Sequence, residues 1–193
     1  MNQFRLFYPI RPHEVTQKFG ETKYLDYYKD NGVVFKGHTG IDLYARHGQP
    51  VYATHEGEVV YAGSDAKEGY GVVLRTLQPY EYKGQEIYFK TIYWHLIKDI
   101  PVRVGQKIGP GDIIGYADST GLSTGDHLHF ALKPQLKGEN DWTWYNLEDK
   151  NGYFGAIDPL PYFNGIASQD AMGILQTLKS LLSVLTKLIS LIK

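Results

Sequence analysis

Hydrophobic and polar positions between residues 37 and 133 alternate in short runs that glycine interrupts. The runs GVVLRTL and IYFKTIYWHL are rich in β-branched and aromatic residues, as strands prefer. QPVYATHEGEVVYAG contains two strand-like runs broken at Glu56 and Gly57, and QPYEYKGQE resembles a hairpin loop. The pattern predicts a mainly β fold, an antiparallel β-sheet or β-sandwich.

A weak internal repeat lies within this region. GQPV followed by GEVVYAG resembles GQKIGPGDIIGYAD at residues 105–118, because both pair a Gly-Gln turn with a Gly-acid turn and a β-branched run. Two interpretations stay open: a duplicated strand motif, or the ordinary similarity of two hairpins.

The pattern changes to a helical period at residues 168–193. Ser168 is a suitable N-cap and Asp170 suits the first turn. Apolar residues then recur every three or four positions, and the later charges are all lysine. The stripe consists of Leu175, Leu178, Leu182, Leu185, Ile189 and Ile192, widened by Ile174, Leu181 and Leu188. We predict a basic amphipathic α-helix over 166–193.

This helix has three interpretations. It could dock on the preceding domain, self-associate through its apolar seam, or lie on a membrane surface with its lysines at the headgroups. A broad apolar face without acids favours the last two together over the first.

The remaining organisation follows from these changes of pattern. Residues 1–37 are interpreted as an irregular N-terminal lead-in, and 38–165 as the main domain. Residues 135–164 are loop-like and contain Trp142 and Trp144. These tryptophans and the many tyrosines could line a groove for an extended substrate, although packing is the more common role.

Composition limits the chemistry. The chain has 193 residues, a formal net charge of −1 and no cysteine. Near-neutral charge gives no electrostatic argument for a nucleic-acid partner, and any metal site must use His, Asp, Glu or water. The first residues do not match a cleavable signal peptide, so we expect that work outside a cytoplasm would need another route.

Two histidines one residue apart are the strongest local feature. His127 and His129 in STGDHLHFAL would project from one face of a strand. In GHTGIDLY, His38 and Asp42 are four apart and would also share a face. Two imidazoles and one carboxylate would make a His₂Asp set with an open fourth position, as in catalytic zinc sites. His95 in YWHL ends an aromatic strand. Taken alone, each of these has an ordinary structural explanation.

Together these segments resemble the lysostaphin-type zinc metallopeptidases of the M23 family, which cleave peptides in bacterial peptidoglycan. The resemblance covers roughly residues 14–133 and extends to Asp158-Pro159. It implies a duplicated hybrid β motif and one Zn²⁺ per chain. It also implies the metal ligands His38, Asp42 and His129 and the catalytic residues His95 and His127.

The resemblance gives roles and also shows departures. His127 is expected to be the general base and His95 to bind or protonate the oxyanion or leaving amine, a division held open. Trp94, Ala131 and an expanded loop before YWHL differ from the usual pattern, which puts substrate fit in question. His13, His47 and His55 match no site position, and His47 and His55 are interpreted as exposed.

Two functions are therefore expected as alternatives. The first is a zinc endopeptidase acting at the bacterial cell wall, either phage-encoded or exported by another route. The second is a non-catalytic wall-binding or phage-particle assembly module on the same scaffold. Zinc content would distinguish them.

Overall fold

The computed structural model describes residues 3–138 and 144–163, and a few positions beyond them. The chain divides into two units, Met1–Phe163 and Asn164–Lys193.

Short strands dominate the first unit, as the alternating pattern predicts. The strands are β1 Val15–Gln17, β2 Ile41–Tyr44, β3 Pro50–Tyr52, β4 Gly57–Asp65, β5 Gly69–Thr76, β6 Tyr80–Tyr82, β7 Gln85–Leu96, β8 Lys107–Ile108, β9 Ile113–Tyr116, β10 His127–Lys137 and β11 Trp144–Asn146. One helix, α1 Leu25–Asp30, and a 3₁₀ turn at Leu160–Tyr162 complete the described elements.

Within the described residues, nine strands form one sheet in the order β1-β2-β10-β7-β5-β4-β8, with β11 beside β10 and β6 beside β7. Strands β3 and β9 form a separate pair. Every strand pairing is antiparallel. The predicted mainly β, antiparallel class is therefore confirmed.

The two faces of the large sheet differ because side chains alternate along each strand. On β10, Leu128, Phe130 and Leu132 are buried in the main core. The intervening residues lie on the opposite face, which we call the site face. It carries His129 and Ala131 of β10 together with their cross-strand partners.

The stretch predicted as an irregular lead-in contributes regular structure. It contains β1, which pairs with β2 at the edge of the large sheet, and helix α1. Before β1, the side chains of Phe4, Leu6 and Ile10 are buried in the main core. The lead-in is thus part of the packed domain, since three core positions come from it.

The internal repeat is supported by how its two copies pair. Strand β3 of the first copy pairs with β9 of the second, and β4 pairs with β8. The Gly-Gln turns also match. The Gln49 side chain accepts from the backbone N–H of Arg46 at 3.0 Å, and Gln106 accepts from Arg103 at 3.2 Å. This reciprocal pairing favours a duplicated motif over two unrelated hairpins.

In the second unit, six positions are described and all are helical: Leu178, Leu181, Leu182, Leu185, Thr186 and Ile189. The five apolar side chains among them are 51–65% exposed. The rest of the predicted helix, including Ser168 and Asp170, lies outside the described residues, so the helix as a whole and its three interpretations stay predictions. Among the described residues, no helix has the length and apolar character needed to cross a membrane.

Candidate active site

Three of the five predicted site residues converge on one point. Strands β2 and β10 pair so that Asp42 lies opposite His129, and His38 lies in the turn just before β2. The Nε2 of His38 is 2.9 Å from the Nδ1 of His129 and 3.1 Å from the Oδ1 of Asp42. The third edge of the triangle, His129 Nδ1 to Asp42 Oδ1, is 3.0 Å.

Close backbone approach makes this convergence possible. A Cβ on Gly40 would overlap the carbonyl oxygen of Phe130 and press against the ring of His129. The turn between the two ligands of the first segment therefore needs glycine. The other ring nitrogen of His38, Nδ1, is 3.2 Å from the carbonyl oxygen of Lys18, which fixes the orientation of the ring.

The triangle fits a small divalent cation. Zn²⁺ with bonds of about 2.0–2.1 Å would separate tetrahedral ligands by about 3.3 Å, close to the three edges observed here. All three residues are buried. Burial acts to raise the pKa of Asp42, but hydrogen bonds from His129 and His38 outweigh it and hold that pKa well below its usual range. A buried carboxylate facing two imidazoles is a suitable donor set for a metal.

His127 and His95 form a second pair beside the triangle. Their ring centroids are 4.5 Å apart, and the Nε2 of His127 is 3.7 Å from the Oδ1 of Asp42. The Nδ1 of His127 lies 2.8 Å from the carbonyl oxygen of Gly125, and the Nδ1 of His95 lies 2.7 Å from that of Thr120. Since a carbonyl only accepts, each neutral ring carries its proton on Nδ1, which leaves Nε2 able to accept another.

The surroundings of His95 lower its pKa, and this limits what the ring can do. Burial lowers the pKa of His95 to about 3, and the charges of His127 and His129 act in the same direction. His95 is therefore neutral at neutral pH. It can donate from Nε2 to an oxyanion only after it has gained a proton during the reaction.

The backbone of His95 is left-handed, with φ at 64°. Trp94 pairs with His129 and so lies on the site face, and regular alternation would send the next residue to the core. Instead, near the end of β7, where the backbone adopts this unusual φ, the ring of His95 lies beside His127. Non-glycine residues in this region are uncommon and cluster at functional sites.

A polar cavity of about 210 Å³ adjoins the triangle. Its lining includes Gln17 of β1, Tyr27 and Tyr28 of α1, Thr124, Asp126 and His127. Gln17 is only 4% exposed, and its Nε2 has no hydrogen-bond partner among the described residues. A buried, unpartnered amide on a residue that lines a cavity is a candidate for binding a substrate carbonyl once its side chain turns toward the cavity. Sequence reasoning missed Gln17 because it assigned this stretch to an irregular lead-in, although VTQ before the tyrosines is compatible with a short strand.

The expectation that His55 is exposed is wrong. Its residue surface is 6% exposed, because the N-terminal segment brings Phe4 against it, with ring centroids 5.6 Å apart. Its Nδ1 donates to the carbonyl of Glu56 at 2.7 Å, and its Nε2 accepts from Thr91 at 2.9 Å. Burial lowers the pKa of His55 to about 4.

The other two histidines lie apart from the five. His47 is exposed as expected and pairs with Asp118 at 2.9 Å. His13 is exposed and stacks on Tyr8. Of the predicted groove aromatics, Trp142 and the side chain of Trp144 lie outside the described residues.

The chain is similar to known peptidases. The model of the family described as "Peptidase family M23" matches residues 36–141. The chain is 37% identical over 95 residues to the peptidoglycan DD-endopeptidase ShyA of Vibrio cholerae, covering 49% of this chain and 20% of that protein. It is 34% identical over 99 residues to the glycyl-glycine endopeptidase ALE-1 of Staphylococcus capitis, covering 51% and 25%.

Among solved structures, a zinc-containing peptidase from Vibrio cholerae matches with a TM-score of 0.53 and 31% identity over 68% of this chain and 37% of that one. The matched part of this chain spans only about a fifth to a quarter of the length of the two curated relatives.

Proposed function

The chain belongs to peptidase family M23, and from this membership we propose that it is a zinc endopeptidase that hydrolyses peptide bonds of bacterial peptidoglycan. The observation that carries the proposal is the triangle of His38, Asp42 and His129 with His95 and His127 directly beside it. Family likeness alone would not require all five residues, since a binding module needs only the scaffold.

In this proposal His38, Asp42 and His129 hold one Zn²⁺ per chain. Two nitrogens and one carboxylate oxygen suit zinc and leave a position for reactants. When bound, the cation supplies a Lewis acid that polarises the scissile carbonyl and acidifies the attacking water. The zinc-containing Vibrio cholerae structure supports this choice of metal.

His127 and His95 act as the proton acceptor and donor. His127 is 3.7 Å from Asp42 through its Nε2, and the hydrogen bond at its Nδ1 leaves that Nε2 ready to accept a proton from the attacking water. The proton taken up by His127 then passes to the leaving amine, directly or through His95, the more buried ring beside it; while it holds that proton, His95 would donate a charged hydrogen bond to the developing oxyanion. No glutamate base is needed in this arrangement.

Gln17 positions the substrate. Gln17 lines the cavity together with Asp42 and His127, and its unpartnered Nε2 is buried in the present side-chain conformation. A turn of this side chain toward the cavity would let a carbonyl of an extended peptide accept the N–H, so Gln17 would hold the chain on one side of the scissile bond. This contact is independent of the metal ligands.

Peptidoglycan is the proposed substrate because the relatives named above are a peptidoglycan DD-endopeptidase and a glycyl-glycine endopeptidase. Their names describe different bonds at similar identity, so likeness does not select the bond that this chain cuts. The proposed place of action is the bacterial cell wall. The alternative of a non-catalytic module is not favoured, because the structure brings all five candidate residues together.

The test is hydrolysis by the purified chain. Peptidoglycan incubated with zinc-loaded protein should release soluble muropeptides with new amino ends, and a chelator should stop the release until Zn²⁺ is returned. Purified protein that contained no stoichiometric zinc after gentle preparation, and released nothing when zinc was supplied, would favour the non-catalytic alternative.

A further inference from the structure

A row of basic residues crosses the site face of the large sheet. Lys133 of β10 pairs with Lys90 of β7, and Lys90 pairs in turn with Arg75 of β5. Directly paired residues point to the same face with Cβ atoms about 4.5–5.5 Å apart. Three cations on three neighbouring strands therefore lie side by side.

The position of this row relative to the site follows from the same register. His129 and Lys133 are on β10 four residues apart, which is about 13 Å along a strand. Ala131 lies between them on the same face and pairs with Ile92, which pairs with Val73. These three apolar residues form a small separate cluster. This buried apolar cluster thus lies between the proposed metal site and the basic row, with Val60, Tyr61 and Trp94 packed against it.

Lys90 and Lys133 are partly buried, and neither takes part in an ion pair within the described residues. The charge of Asp149 acts on both lysines and that of Glu68 acts on Lys133. Arg75, by contrast, pairs with Glu58 at 3.5 Å.

This arrangement is unfavourable by itself. Like charges directly opposite each other on neighbouring strands destabilise a sheet, and a partly buried ammonium group without a partner loses hydration. Burial lowers the pKa of Lys133 to about 8, and the charge of Lys90 acts in the same direction. Lys133 therefore still carries most of its charge at neutral pH, and an anion placed between the two lysines would relieve both costs.

We propose that Lys90 and Lys133 bind a carboxylate of the peptide substrate about four residues from the scissile bond, and so select acidic stem peptides over uncharged ones. This inference rests on the proposed function. An extended peptide running parallel to β10, above the side chains that cover Ala131, spans the distance because its rise per residue equals that of the strand. Arg75 would keep its own acid, Glu58, and so leave the substrate carboxylate to the two lysines.

The test compares two substrates and two variants. The substrates are cross-linked muropeptides with free peptide carboxylates and the same muropeptides with those groups converted to carboxamides. The variants are Lys90→Met with Lys133→Met, which keep the apolar stems over Ile92 and Ala131, and Lys98→Met, which removes an exposed lysine elsewhere.

For the wild-type chain and for Lys98→Met, kcat/KM should be roughly tenfold higher on the free-carboxylate form than on the carboxamide form. One charge-assisted hydrogen bond accounts for a difference of this size. The double variant should lose this preference, keep its rate on the carboxamide form, and match or exceed the wild-type Tm because like-charge repulsion is gone. A merely structural role for the lysines would leave the preference unchanged.

Equal wild-type rates on the two forms would overturn the inference while leaving the proposed function intact, as would a double variant that kept the preference. Hydrolysis of neither form by the wild type would overturn both. If the double variant failed to fold, Lys133→Met alone would be tested. We expect it to reduce the preference for the free-carboxylate form at least threefold. An unchanged preference would overturn the inference.

Discussion

His95 and His127 lie with their ring centroids 4.5 Å apart although they come from β7 and β10. Each ring is fixed through its Nδ1 by a loop carbonyl, from Thr120 and Gly125 respectively. The left-handed backbone of His95 accompanies the departure of its side chain from strand alternation. With Nδ1 donating to a carbonyl, the Nε2 of each ring in its neutral form is the acceptor beside the candidate metal ligands.

Replacing His127 with Gln should separate chemistry from metal binding. His127→Gln removes the proposed base but none of the three ligands, so kcat should fall by about 10²–10⁴ while zinc content stays at one per chain. His38→Gln, by comparison, should lose zinc and activity together. Metal analysis and initial rates on the same samples provide the measurement. Unchanged kcat in His127→Gln would remove this residue from the mechanism.

Replacing Gln17 with Leu should weaken substrate binding. Loss of one neutral hydrogen bond, worth about 0.5–1.5 kcal/mol, should raise KM roughly three- to tenfold with a smaller change in kcat. Stability should not fall, because the replaced amide nitrogen has no partner in the folded chain. Gln85→Leu, at an exposed strand position away from the cavity, is the matched control. Equal KM values for the two variants would show that Gln17 does not touch substrate.

The facing glycines Gly71 and Gly63 should respond differently to alanine. They pair across β4 and β5, but a Cβ on Gly71 would overlap the ring of Trp94, whereas one on Gly63 would meet Tyr61 at an ordinary 3.5 Å. Gly71→Ala should therefore lower the free energy of unfolding by about 1–3 kcal/mol. It should also reduce activity, because Trp94 adjoins His95 in the chain. Gly63→Ala should change neither stability nor activity appreciably. Urea denaturation measures the free energy of unfolding of the two variants, and equal values would contradict the prediction.

His55 should make stability depend on pH. Its folded pKa of about 4 lies below the ordinary value of 6.5, so the unfolded chain binds a proton more readily. Its contribution to stability is present above pH 6.5 and is lost as pH falls from 6.5 to 4, by about 3 kcal/mol in total. His55→Gln should remove this share and flatten the stability curve in that interval.

His95 also has a lowered pKa and contributes in the same direction, so the difference between wild type and His55→Gln is the quantity to measure. Denaturant titrations at pH 4.5, 5.5 and 7 give the difference in the free energy of unfolding between the two proteins. Parallel curves for the two proteins would mean that His55 is not the group responsible.

Much of the site could be predicted because its information is local. The even spacing of His127 and His129 places both on one strand face. The same argument was wrong for His38, which lies in the turn before β2 and reaches Asp42 through that turn. The family resemblance then joined the segments and added His95. The register that sets Asp42 opposite His129 could not be derived, since it depends on which strands become neighbours.

The rest depended on contacts between distant parts of the chain. His55 was predicted to be exposed because its own neighbours form a turn, but Phe4, about fifty residues earlier, covers it. Gln17 was overlooked because three residues of β1 are too few to show a period. The basic row was equally hidden, because Arg75, Lys90 and Lys133 are adjacent only across strands.

The most direct test of the account is mass spectrometry of peptidoglycan digested by the zinc-supplied chain and by its Asp42→Asn variant. Asp42→Asn keeps the shape of the side chain but removes the carboxylate between the two imidazoles. The account predicts muropeptides with new amino ends at one class of peptide bond from the wild type, and none from the variant. Identical products from both proteins, or no new amino ends from the wild type, would contradict it.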